Sequence, residues 1–157
     1  MTNKEFEFMG YLKGEGCFRI SKQHKKNHLR VNYRPQISVA QRADDTGILE
    51  WAKKRFGGYL VHQMGRLDIP NQNPSVTWVL TSIKTCYPVI RMFLESMLPS
   101  KKFKEVLLLK EFCDLKSKPK KKFPFKNGRF FWESDGDYKR QEWLFREISN
   151  LKKFKGV

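Results

Sequence analysis

Glu15 is the only acidic residue between Glu7 and Asp44, and the same stretch holds Lys13, Arg19, Lys22, Lys25, Lys26, Arg30, Arg34 and Arg42. So many cations suit a polyanion, and a lone carboxylate among them repels one. A divalent cation bridging carboxylate and phosphate would reverse that repulsion, so the chemistry suggested is metal-assisted work on a phosphodiester. Around Glu15 the chain reads FMGYLKGEG over residues 8–16. Gly10 and Gly14 lie four apart, so on a helix they share one face and leave a groove that another backbone can approach closely. A helix ending near Gly14 puts Glu15 at the carbonyl-rich, negative end, where a carboxylate is least welcome without a cation.

Other chemistries find less support. His24, His28 and His62 have no Cys or His partner at ligand spacing, and zinc is not indicated. No Ser, His and Asp set suggests a nucleophilic triad. The three cysteines, Cys17, Cys86 and Cys113, are odd in number and far apart, as expected of reduced thiols in an intracellular protein. Asp135 and Asp137 within WESDGDYK form a rival acidic pair, but with Ser134 they precede an apolar helical stripe and read as ordinary helix-opening residues.

The formal net charge of +16, from 32 Lys and Arg against 16 Asp and Glu, points to nucleic acid or an anionic membrane. The longest apolar run, Val106 to Leu109, is far too short to span a bilayer, so no membrane partner is expected. The first residues lack the basic and apolar segments of a signal peptide, so export is not expected and the expected location is intracellular, in a prokaryotic cytoplasm or an organelle. With 39% apolar and 14% aromatic residues, the 157-residue chain has ample material for one core.

The elements that must position Glu15 follow from periodicity. Thr2 and Glu5 form a capping box for a first helix carrying Phe6, Met9 and Leu12, and from Cys17 the period changes to two, with Phe18 and Ile20 inward. A second strand alternates Leu29, Val31, Tyr33, Pro35, Ile37 and Val39 against Arg30, Asn32, Arg34, Gln36 and Ser38; Pro35 favours an edge or a bulge. Asp44 and Asp45 open a second helix through Ile48, Leu49, Ala52 and Phe56, stopped by Gly57 and Gly58. Residues 59–66 and 75–82 read as a hairpin, and two further helices follow over about 84–98 and 101–115. Residues 116–128, KSKPKKKFPFKNG, form a basic, proline-broken linker, either a solvated loop or an arm that binds phosphate. A last helix carries Trp143, Leu144, Ile148 and Leu151 and should pack back on the domain.

FMGYLKGEGCF resembles the helix motif of the LAGLIDADG homing endonucleases, with Lys13 at the motif's first acidic position and Phe8 and Met9 in place of its leucine and alanine. The order of elements is similar to that family's αββαββα core. ISVAQR over residues 37–42 looks like its second-strand ending, and MLPSKKFKEVLLL from Met97 looks like its loop and following helix. The resemblance covers residues 4 to about 115. It implies an α+β fold with a saddle-shaped antiparallel sheet and a core over 1–115; from the residues alone, the basic linker is expected over 116–134 and a C-terminal helical extension over 135–157.

The resemblance also implies a site. Glu15 and the Gly14 carbonyl would hold a divalent metal, expected to be magnesium; Gln41 would order water near the scissile phosphate; Lys101, helped by Lys102, would stabilise developing charge. One motif per chain implies a homodimer meeting at Gly10 and Gly14, which would cut both strands of a long, near-palindromic target in double-stranded DNA. Recognition is expected from the polar strand faces: Arg19, Ser21, Gln23 and Lys25, then Arg30, Asn32, Arg34, Gln36 and Ser38, with Tyr59, Gln63, Ser75 and Thr77 from the second hairpin. The alternative is a non-cleaving nucleic-acid-binding protein, such as a splicing maturase with intron RNA as its partner.

Overall fold

The computed structural model describes residues 1–24, 29–64, 74–96 and 100–153. Thr2 Oγ1 accepts from the Glu5 backbone N–H at 3.2 Å, and the Glu5 carboxylate accepts from the Thr2 N–H at 2.8 Å. This reciprocal box starts α1, Asn3–Glu15, which buries Glu5, Phe8, Met9 and Leu12 and leaves Phe6, Gly10 and Gly14 exposed. The chain leaves α1 through Gly16, whose N–H donates to the Leu12 carbonyl. A Cβ at Gly16 would lie 2.5 Å from that oxygen, so only glycine lets the chain turn so close beneath the helix end.

Gly16 also begins β1, Gly16–Gln23, which pairs antiparallel with β2, Asn32–Arg42. Then follow α2, Gly47–Phe56, β3, Tyr59–Gln63, and β4, Ser75–Leu80; the four-stranded sheet has the order β1-β2-β4-β3 and is antiparallel throughout. Pairing of β2 with β4 begins only at Ile37, so Pro35 sits where β2 has a strand on one side alone, a place that tolerates a residue without an N–H. Leu29, expected on the inward side of this strand, lies before β2 and is exposed. The α+β reading and the αββαββ order hold, completed by α3, Ile83–Glu95.

One sheet face is packed. Phe18 and Ile20 of β1, Tyr33, Ile37 and Val39 of β2 and Val76, Trp78 and Leu80 of β4 join α1, α2 and α3 in the core. Phe8 of α1 meets Trp51, Phe56 and Trp78 at ring-centroid distances of 5.2–5.6 Å, which fixes α1 on the sheet through an aromatic cluster. Trp78 is fully buried, and its indole N–H donates to the Gly57 carbonyl at 2.9 Å. Gly57 and Gly58 both have positive φ, and a Cβ at Gly58 would meet the Val79 oxygen at 2.4 Å, so this pair has to be glycine.

Helix α4, Phe103–Lys116, and helix α5, Asp135–Lys153, complete the layer. Leu144 and Ile148 of α5 are fully buried, and its Tyr138 and Phe145 pack against Tyr33 of β2. The stretch read as an irregular linker contains a small hairpin, β5, Phe123–Pro124, and β6, Phe130–Phe131, in antiparallel register.

Candidate active site and DNA interface

Helix α1 leaves its last carbonyls without intrahelical partners, and one side chain from the far end of the core reaches them. Lys102 Nζ donates to the carbonyls of Leu12 at 3.3 Å and Gly14 at 3.1 Å. A cation is favoured at the negative end of a helix dipole, so this contact marks the Gly14 oxygen as a cation-attracting point. Glu15, the last residue of α1, is exposed beside it. Carboxylate and carbonyl oxygens are hard donors suited to a divalent ion, and with Glu15 and Gly14 adjacent both are at hand. Among the described residues no three His, Cys, Asp or Glu side chains gather in one place. A metal here would therefore rely on phosphate, water or a second copy of the chain for its remaining ligands.

Gln41 is half-buried near the end of β2, two residues past Val39, the partner of Gly16 in the sheet. It therefore stands at the same end of the sheet as Glu15. Lys101, singled out from the sequence, is exposed in the turn before α4, and the lysine that touches α1 is its neighbour Lys102. Two adjacent lysines look alike in a sequence, and only the turn before α4 decides which ammonium faces the helix end. Asp135 and Asp137, the rival acidic pair, are taken up in ion pairs with Arg30 and Lys118 in the first turn of α5, where Ser134 Oγ accepts from the Asp137 N–H at 3.1 Å.

The second sheet face is polar. Successive side chains alternate sides and in-register partners share a side, which brings together Arg19 with Gln36, Ser21 with Arg34, and Gln23 with Asn32. Ser38, Tyr59, Gln63, Ser75 and Thr77 continue the same face across β4 and β3. Sequence reasoning left out Arg42 and Val61, which the register adds: Arg42 lies opposite Ser75 and Val61 opposite Thr77, and both are exposed. The face is partly pre-bonded, since Arg34 Nε donates to Ser21 Oγ at 3.1 Å and the Asn32 amide donates to Gln23 Oε1 at 2.9 Å. These bonds hold the donors and acceptors in fixed directions. Lys25 lies outside the described residues.

Arg30 is placed differently from the other expected contacts. Its side chain is only 17% exposed, donates to the Glu133 carbonyl at 2.8 Å, pairs with Asp135 and lies over the rings of Phe131 and Tyr138. It pins the hairpin and α5 to the start of β2 and presents no free guanidinium to a ligand. Nothing local in the sequence announces this, because its partners stand more than a hundred positions away.

A family model described as LAGLIDADG endonuclease matches residues 8–113, more than half of the chain. No curated protein matches. Among solved structures, the group I intron-encoded homing endonuclease I-CeuI complexed with DNA aligns with a TM-score of 0.61 at 18% identity, over 73% of this chain and 56% of that one. The chain thus spans little more than half the length of that protein. The homing endonuclease I-TnaI aligns with a TM-score of 0.68 at 16% identity, over 98% and 96% of the two chains. I-CvuI, in complex with uncleaved DNA in the presence of Mg, aligns at 0.67 and 13% identity, over 94% and 81%. At these identities the structures speak to the fold, while the match over residues 8–113 carries the family. The chain belongs to the LAGLIDADG endonuclease family.

Proposed function

We propose that this protein is a homodimeric, metal-dependent endonuclease that cuts a specific site in double-stranded DNA. The observation that carries the reading is the bare face of α1 beside Glu15. A Cβ at Gly10 or Gly14 would meet nothing within 4 Å, and the exposed Phe6 lies on the same stripe. A second copy of α1 laid there would bring two Glu15 carboxylates together about a two-fold axis. A divalent ion held by Glu15 and the Gly14 carbonyl, magnesium being our choice, would neutralise phosphate charge and acidify a bound water.

The chain's own residues would do the rest. Gln41 can orient a water through its amide, and Lys102, with Lys101 beside it, can offset charge developing on the phosphate. The polar sheet face would lie along the major groove. The eleven residues of β2 reach about 35 Å at roughly 3.3 Å per residue, the rise of about ten base pairs. Each protomer would then read a half-site of about that length, and symmetry would make the whole target near-palindromic. Free thiols at Cys17, Cys86 and Cys113 agree with work inside the cell.

The test is selection of cleaved sites from a random duplex library with Mg²⁺, followed by the same assay on Glu15→Gln. Loss of cleavage with retained target affinity is the expected result. A variant that still cuts would remove Glu15 from the chemistry. A wild-type chain that cuts no duplex and prefers host-intron RNA at matched salt would favour the splicing reading instead.

A further inference from the structure

The hairpin at the end of α4 lies beyond the residues matched by the family model and has two unlike faces. Asn127 and Gly128 both have positive φ and close the turn between Pro124 and Phe130, a conformation that Asn and Gly adopt most readily. Phe123 stands opposite Phe131 on one face, and there Phe131 lies under the Arg30 guanidinium, 3.7 Å from it. On the other face are Pro124 and Phe130, with Trp132 two residues further along the same side. Phe130 is 41% exposed and Trp132 50%, their rings edge to face at 4.9 Å. Lys122 Nζ lies 4.7 Å from the Phe130 centroid and 6.0 Å from that of Trp132.

Burial does not explain this surface, because the anchoring is done by the inner face. The surroundings are cationic. Lys120, Lys121, Lys122, Lys126 and Arg129 are all exposed, and none forms an ion pair with an acidic side chain among the described residues. Beside the hairpin a cleft of about 720 Å³ is lined by Lys118, Lys120, Lys121, Phe123 and Trp132 and reaches Asn32 on the polar sheet face. An apolar protein partner would be poorly served by so much unpaired charge. Duplex phosphate would use the lysines but leave the ring faces idle. Unpaired nucleotides use both, the phosphates on ammonium groups and the bases stacked on aromatic rings.

We infer that the outer hairpin face and its cleft form a second nucleic-acid site, which binds single-stranded nucleotides by stacking on Phe130 and Trp132 with Lys120, Lys121 and Lys122 at the backbone. The site lies away from Glu15 and borders the duplex-reading sheet face at Asn32. Its lysines carry no sequence information, so binding is tolerant of base identity and falls with salt.

The test measures fluorescence anisotropy of a short oligothymidylate, an oligouridylate and a non-target duplex of equal length, at matched salt. F130A/W132A should weaken both single strands by about tenfold or more and change duplex binding less than about twofold. Trp132→Phe keeps a ring and should hold single-strand affinity, while losing most of the tryptophan quenching seen when the unmodified chain binds. Comparing the two single strands tells DNA from RNA as the source. Equal losses for single strand and duplex would make the hairpin a general phosphate clamp and overturn the inference. So would unchanged single-strand binding in F130A/W132A, or quenching that persists in Trp132→Phe.

Discussion

The ammonium of Lys102 lies 3.1 Å from the carbonyl oxygen of Gly14, although the two residues are 88 positions apart. The oxygen that would help hold a metal is thus in contact with a resident cation, and Lys102 bridges it to the Leu12 carbonyl two residues earlier. Replacing Lys102 by Met should lower the single-turnover cleavage rate by about 10²-fold, the scale expected for one lost electrostatic donor. Mn²⁺ affinity, read by electron paramagnetic resonance without DNA, should be unchanged or tighter, because the ammonium competes for Gly14. Weaker Mn²⁺ binding would instead mean that Lys102 shapes the helix end for the metal.

Three glycines of the motif do different work, and alanine should separate them. Gly16→Ala forces a Cβ against the Leu12 oxygen and should cost about 1–3 kcal/mol, visible in thermal unfolding. Gly14→Ala adds a methyl to open space on a helix and should leave the protomer as stable or slightly more so. In sedimentation, however, the same variant should shift a dimer towards monomer. A dimer indifferent to alanine at both Gly10 and Gly14 would show that α1 is not the contact.

Local signals were the legible ones. The capping box of Thr2 and Glu5 spans four residues, and the alternation along β2 reports burial on one face directly, so both could be read from the sequence. The motif around Glu15 was legible because three glycines and a lone acid are costly in any other context. Arg30 was expected on the reading face because alternation gives the side a residue points to but not what waits there, and the partners that hold its side chain fold in from β6 and the start of α5. The hairpin was missed although Asn127-Gly128 between aromatic runs is a turn signal, because strands of two residues carry no periodicity.

Acid should weaken the start of α1. The backbone hydrogen bond from Thr2 is the main reason that the Glu5 carboxyl titrates below its usual value, with Arg55 adding to it. A folded-state value below the unfolded one means the stabilisation is complete above the unfolded value of 4.5 and disappears as pH falls through the lower folded value. Glu5→Gln can keep the Thr2 contact but not the charge. The melting temperatures of wild type and Glu5→Gln should therefore differ near neutral pH and converge in acid. A gap that stays constant with pH would rule out the charge as its origin.

Arg19 and Arg30 were both expected on the reading face, yet they should fail in different assays. Arg19 is exposed in the middle of β1 opposite Gln36, with space for a base edge. Arg19→Ala should leave melting unchanged and cost about 1–3 kcal/mol of target affinity, concentrated at one base-pair position in each half-site. Arg30 is held by Glu133, Asp135, Phe131 and Tyr138, so Arg30→Ala leaves a half-buried carbonyl and two ring faces without their cation. It should lower stability by about 2 kcal/mol, with no change in which base is preferred at any position. Profiling both variants against a library of singly substituted targets, alongside calorimetry, separates the cases. A base preference altered by Arg30→Ala would show that its guanidinium leaves the hairpin when DNA binds.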